Sequence, residues 1–146
     1  MPATRKPVDL GSLDHLVGFH LRLAQLAVFK DFGSRLDALG VTPAIYSVLE
    51  VLRRNPGLTQ SRLATAVRLE RSSMVPLLDK LGRRGLVERR ASTTDRRHNH
   101  LYLTVAGDDL MQQADRQLEQ HEACVCAGLS DAEKRTLLKL LRRFRG

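Results

Sequence analysis

The stretch from Gly57 to Thr104 constrains the fold most: GLTQSRLATAVRLERSSMVPLLDKLGRRGLVERRASTTDRRHNHLYLT. Leu63, Ala64 and Val67 recur at helical spacing and Thr59 is placed to cap them, so Gln60 to Val67 is predicted as a short helix. The turn Arg68-Leu69-Glu70 leads to a second helix, Arg71 to Arg84. Its Met74, Leu77, Leu78 and Leu81 form one apolar stripe at i, i+3, i+4 and i+7. Gly85 stops it, as glycine does at C′. Leu86 to Arg90 and His100 to Leu103 can pair as two strands, and Ala91 to Asn99 between them is too polar to bury.

A helix pair followed by a ribbon predicts a winged helix-turn-helix, in a chain that is mainly α with a small β-wing. With its stripe turned inward, the second helix leaves Arg71, Ser72, Ser73, Pro76, Asp79, Lys80 and Arg83 facing outward. A helix fits the major groove of DNA, and short residues such as Ser72 and Ser73 allow close approach to base edges. The same residues also read as the solvated face of an amphipathic helix, and the helix alone leaves both readings open. The candidate DNA contacts are Thr59 and Gln60 at the first helix, Arg71, Ser72, Ser73, Pro76, Lys80 and Arg83 on the second, and Arg90, Asp95, Arg96, Arg97 and His98 on the ribbon.

The order SxxxPLLDKLGRRGLVER, then TTDRR, then LYLTVAG closely resembles the MarR family of bacterial transcription regulators. Asp95-Arg96-Arg97, spaced between GLVER and LTVAG, is the most specific part. The resemblance spans roughly Leu13 to Phe144, the flanking helices matching in length and order. It implies a homodimer with each second helix in a major groove and each wing in an adjacent minor groove. Arg97 would enter that groove, held by Asp95 through a charge-assisted hydrogen bond. It also implies a small effector bound between the dimer helices and the helix-turn-helix, an aromatic acid or an aromatic acyl-CoA.

Charge agrees by its location. Residues 51–100 hold 12 Lys or Arg against 4 Asp or Glu; the remainder of the 24 basic and 16 acidic residues balance at 12 each. The whole formal excess of +8 therefore sits on the helix-turn-helix and wing, which suits a phosphate backbone. No aromatic residue lies between Tyr46 and Tyr102. Single-strand binders need aromatic platforms, so duplex DNA is favoured over single strands. At 146 residues the chain is expected to be one domain, with 42–104 as the winged helix-turn-helix and 10–40 and 105–146 as dimerisation helices. No apolar run reaches membrane-spanning length and the N-terminus lacks a signal-peptide core, so a cytoplasmic protein is expected. In the N-terminal arm, Arg5 and Lys6 read as a solvated tail or as DNA contacts.

Leu10 to about Leu39 is predicted as one helix, with apolar residues on more than one side, ended by Gly40. Such a helix is buried on more than one side, and a second subunit is the natural partner. His15, Phe19, Arg22, Leu26 and Phe29 share one face. Together with His20 and with Tyr46, which lies off its own helix's stripe, His15, Phe19, Arg22 and Phe29 are the candidate effector-binding residues; alternatively Arg22 and the histidines hydrogen-bond across the dimer interface. Thr42-Pro43 opens the next helix and Asn55-Pro56-Gly57 closes it. Thr104 caps a long helix to about Ala127, and Ser130 to Glu133 is a capping box opening a last helix to about Phe144.

No catalytic motif is recognisable, and no cofactor or metal is expected. His121, Cys124 and Cys126 lack zinc spacing and a fourth ligand. The two cysteines, two apart on a helix, diverge and are expected to be buried or inert thiols. Two other classes remain in view, an architectural DNA binder without ligand control and a small enzyme. The first has no need of a cavity beneath the reader, and the second has no need to gather its excess charge on one element.

Overall fold

The computed structural model describes residues 7–95 and 97–144; Arg5, Lys6 and the wing candidate Arg96 fall outside these. Six α-helices and three strands run in the order α1 (Val17–Leu36), α2 (Pro43–Arg54), β1 (Leu58–Thr59), α3 (Gln60–Val67), α4 (Arg71–Arg83), β2 (Val87–Ala91), β3 (Asn99–Leu103), α5 (Val105–Val125) and α6 (Asp131–Leu141), with 3-10 turns at Gly11–His15 and Asp37–Leu39.

The predicted first helix is interrupted. Leu16 is extended at φ −92° and ψ 118°, and the residues before it form the first 3-10 turn. The physical cause lies just upstream. The Asp9 carboxylate accepts the Gly11 N–H at 2.8 Å and Gly11 takes φ +56°, a local turn that competes with helix. At the other end Gly40 takes φ +64° after Asp37–Leu39, which stops the chain as expected.

Side-chain caps explain the starts of α2, α3, α5 and α6, while α4 starts without one. Thr42 accepts from Ile45 N–H with Pro43 at the first helical position, Thr104 accepts from Gly107 N–H, and Ser130 with Glu133 closes a full capping box. α2 turns Ile45, Val48, Leu49 and Leu52 inward against Leu63 of α3, Met74, Leu78 and Leu81 of α4, Leu101 of β3 and Met111 of α5. Burying each such side chain contributes about 1.5–3 kcal/mol. This core lies under the helix-turn-helix, so α3 and α4 are held from behind.

The sheet has the order β1-β3-β2, all antiparallel. Val87 faces Leu103 and Ala91 faces Asn99 along the ribbon, while Leu58 faces Leu101 on the other edge. β1 was not expected from the sequence, since two residues carry no alternation to read. It is tied to β3 a second way, by His100 Nδ1 donating to the Gly57 carbonyl at 2.7 Å. Gly107 sits where α5 meets the wing. A Cβ there would strike the Leu86 carbonyl oxygen and come within 2.6 Å of Leu103 Cδ1, so only glycine allows this approach.

The helices at the two ends of the chain are left uncovered. Of α1, only Phe32 and Leu36 are buried, while Leu23, Leu26 and Phe29 are 43%, 55% and 51% exposed. α6 buries nothing, and Leu137, Leu138, Leu140 and Leu141 all face outward. The thiols are not buried as expected. Cys124 is exposed and Cys126 half-buried, because the last turn of α5 runs past the packed core. Among the described residues, no helix is long and apolar enough to cross a membrane, and no group of three His, Cys, Asp or Glu is placed to hold a metal.

Candidate nucleic-acid interface

The turn between α3 and α4 depends on Arg68, which takes φ +54° and lets Leu69 N–H reach the Ala64 carbonyl at 3.0 Å. α4 then starts at Glu70 with no side-chain cap. Ser73 and Met74 N–H turn back to the Glu70 carbonyl at 3.0 and 2.9 Å, and no capping side chain occupies the positive end of the helix, where an anion is favoured. Arg71, Ser72, Ser73, Pro76, Lys80 and Arg83 are all exposed on α4. Thr59 spends its hydroxyl capping α3, a long bond of 3.5 Å from Arg62 N–H, and Gln60 follows it half-buried.

The wing tip is a hydrogen-bonded loop. Ser92 Oγ accepts from the Asp95 N–H at 3.1 Å, and Ser92 N–H donates to the His98 carbonyl at 3.0 Å. Asp95 Oδ1 accepts the backbone N–H of Arg97 at 2.9 Å, and Oδ2 accepts from His98 Nδ1 at 3.0 Å. Those two bonds, the backbone one foremost, hold the Asp95 carboxyl below the usual carboxylate range. The expected side-chain hydrogen bond to Arg97 is not formed. The guanidinium Nε stands 3.8 Å from Asp95 and the side chain is 91% exposed. Asp95 therefore shapes the turn through the backbone and leaves the Arg97 head free to reach out. Arg90 lies with its guanidinium 4.2 Å from the centre of the Tyr102 ring and pairs with Glu88.

α3, the start of α4 and the wing enclose a groove of about 560 Å³. Thr59, Gln60, Arg71, Arg97 and His98 line it, together with Arg89 and Asn99, which sequence reading missed. Ser72, Ser73, Pro76, Lys80, Arg83 and Arg90 lie outside that lining. Arg89 is bound to Asp79 of α4 at 2.9 Å and so ties the wing base to that helix. Arg84, also missed, caps a different helix: its guanidinium donates to the Gly40 and Leu39 carbonyls at 2.7 and 3.0 Å. A Cβ at Gly40 would come within 2.9 Å of that guanidinium.

A second cavity, about 650 Å³, lies beside Tyr46 between α2, α5 and the start of α6. Tyr46 O–H donates to Asp115 Oδ1 at 2.9 Å, and Arg53 donates to Asp115 Oδ2 at 2.9 Å and to Glu50. Burial pushes the Asp115 carboxyl up, yet the bonds from Arg53 and Tyr46 outweigh it and leave it below its ordinary value. Burial and the Asp115 carboxylate raise the Tyr46 phenol. Of the effector candidates, Tyr46 lines this cavity, while His15, Phe19, His20, Arg22 and Phe29 do not. His20 Nε2 instead donates to the Asp14 carbonyl at 2.8 Å, bracing the first 3-10 turn against α1.

His121 is 3% exposed and packs edge-on against Phe32. Its Nδ1 donates to Asp31 Oδ2 at 2.7 Å, and Arg35 Nε donates to the same oxygen at 2.8 Å. Arg35 first, then His121, hold the Asp31 carboxyl down at about 2. This cluster locks α1 to α5.

Residues 41–98 match the model of the MarR family. Over 92% of the chain and 81% of the relative, the sequence is 40% identical to a Thauera aromatica protein described as "Putative transcriptional regulatory protein for hcr operon". Among solved structures, the transcriptional repressor CouR bound to a 23-mer DNA duplex is 36% identical with a TM-score of 0.89, covering 94% of this chain and 97% of that one. CouR bound to p-coumaroyl-CoA is 34% identical with a TM-score of 0.85, covering 94% of this chain and all of that one.

Proposed function

Because the chain belongs to the MarR family, we propose that it represses transcription as a homodimer on a pseudo-palindromic operator and is released by an aromatic acid or its coenzyme A thioester. The observation that carries the DNA reading is the groove in which Arg71, Arg89, Arg97 and His98 converge between reading helix and wing. It belongs to the segment that holds the entire net charge, and the similar CouR was solved on duplex DNA. α4 enters the major groove and the Arg97 head the adjacent minor groove, where negative potential favours arginine. Residues 42–104 form the reading head, and the helices of 10–40 and 105–146 pair two heads about a two-fold axis.

The uncovered leucines of α1 and α6 support the homodimer, since a surface that apolar is normally closed by a partner. The cavity at Tyr46 supports an effector. It lies between α2 of the reading head and the helices α5 and α6, a feature that an architectural binder does not need. CouR, solved with p-coumaroyl-CoA, supports the aromatic class. Phe19 and Phe29 suit a flat ring and Arg22 an anion. They lie outside the lining of that cavity in one chain, so the reading needs α1 of a second chain to complete the site. The protein works where the chromosome is, in the cytoplasm.

The test is a titration of the full chain against duplexes flanking its own coding region, at stated salt, with and without aromatic acids and aromatic acyl-CoA thioesters. One duplex is expected to bind and to be released by at least one compound, with coupling of about 1–3 kcal/mol. Arg22→Ala is expected to keep operator binding and lose the response. Failure to bind any duplex overturns the reading; binding that no compound weakens removes the effector from it.

A further inference from the structure

The outward side of α4 carries two consecutive apolar residues that no hydrogen-bonding reading of a base edge uses. Val75 is 38% exposed and Pro76 is exposed beside it, while Met74, Leu78 and Leu81 on the inner side are at most 2% exposed. Neither side chain donates or accepts a hydrogen bond, and Pro76 has no backbone N–H. A solvated helix face gains nothing from this pair, and Pro76 additionally forgoes the helical hydrogen bond to the Ser72 carbonyl. The other large apolar residues exposed on helices belong mostly to α1 and α6. Around the pair the exposed side chains are Arg71, Ser72, Ser73, Lys80 and Arg83, and the one acid beside it, the half-buried Asp79, is paired with Arg89 at 2.9 Å. That surround suits a polyanion rather than the apolar face of another protein. The apolar group that the major groove of a polyanionic duplex offers is the 5-methyl of a pyrimidine.

We infer that Val75 and Pro76 read a 5-methylpyrimidine in each operator half-site. The inference rests on the DNA-binding reading above and names the base chemistry at one position of it. Thymine satisfies it, and so does 5-methylcytosine at that position as far as the methyl is concerned. Uracil, which keeps every hydrogen-bonding group of thymine and lacks the methyl, does not.

The experiment uses the full chain and the duplex it selects from a random-sequence library. Each thymine is replaced in turn by uracil, in both half-sites together, and affinity is measured by fluorescence anisotropy. One thymine position is expected to weaken binding about fourfold per half-site on losing its methyl, the transfer value of one buried methyl group. Val75→Gln and Pro76→Gln are expected to bind the thymine and uracil duplexes alike, with helix content by circular dichroism as in the parent. Pro76→Gln favours the helix, so it keeps the test available if Val75→Gln folds poorly. Equal affinity for every uracil duplex, or a methyl preference that persists in both variants, overturns the inference and leaves DNA binding intact. Recovery of no duplex overturns both.

Discussion

At the wing tip one negative charge stands among basic groups, and its bonds explain why. Asp95 accepts the Arg97 backbone N–H and the His98 ring, which fixes the loop that presents Arg97. Arg97→Ala is expected to cost about 1–3 kcal/mol of operator affinity and to lower the salt slope by about one. Asp95→Ala is expected to weaken binding too, although it raises the net charge; tighter binding would contradict the orienting role. Elsewhere, Asp31 makes a pH-dependent contribution. Its folded value of about 2 lies below the ordinary aspartate value of about 3.9. The stabilisation is therefore complete above that ordinary value and is lost as pH falls toward the folded one. Asp31→Asn is expected to be less stable than the parent in urea at neutral pH, with the gap closing by about pH 2; a gap unchanged by acid would contradict the ion pair. That Asp95 acts on Arg97 was legible because the two are neighbours in sequence; that it holds the backbone N–H and not the guanidinium was not. Asp31 and His121 are 90 residues apart, and only packing brings them together.

Whole elements show the same division between local and distant causes. α3, α4, α5 and α6 were readable from caps and stripes because both are written within one or two turns of helix. The break at Leu16 was not, since the apolar residues continue through it and a short Asp9–Gly11 turn decides the backbone instead. β1 exists because β3 offers it an edge, and two residues cannot announce that. The candidate effector face of α1 was legible as a face, but its separation from Tyr46 in one chain was not, because spacing along a helix says nothing of what the helix lies against. The joint between wing and α5 supplies a test at this scale. Gly107→Ala drives its methyl group into the Leu86 carbonyl oxygen, and overpacking of this kind costs about 1–3 kcal/mol. A thermal midpoint several degrees lower is expected; an unchanged midpoint would show that α5 can shift away from the wing freely.

For the molecule as a whole, one core joins the reading head to Phe32 and Leu36 of α1 and to Met111 and Ala114 of α5, whereas the rest of α1 and all of α6 expose apolar surface that this core does not cover. Deleting residues 1–30 is expected to abolish the folded dimer and operator binding together; a stable truncated dimer would place the interface elsewhere. The exposed leucines follow from the sequence pattern, since apolar residues on more than one side of a helix need more than one partner. The partner's identity does not follow from that pattern, and the stoichiometry on DNA decides it. The most direct measurement is sedimentation velocity of the full chain mixed with its operator duplex, across a range of protein-to-duplex ratios. The account predicts a dimer in the free state and a complex of two chains per duplex that is lost when either half-site is scrambled. A folded monomer that binds duplex singly, or a dimer with no preference between operator and scrambled duplex, would contradict it.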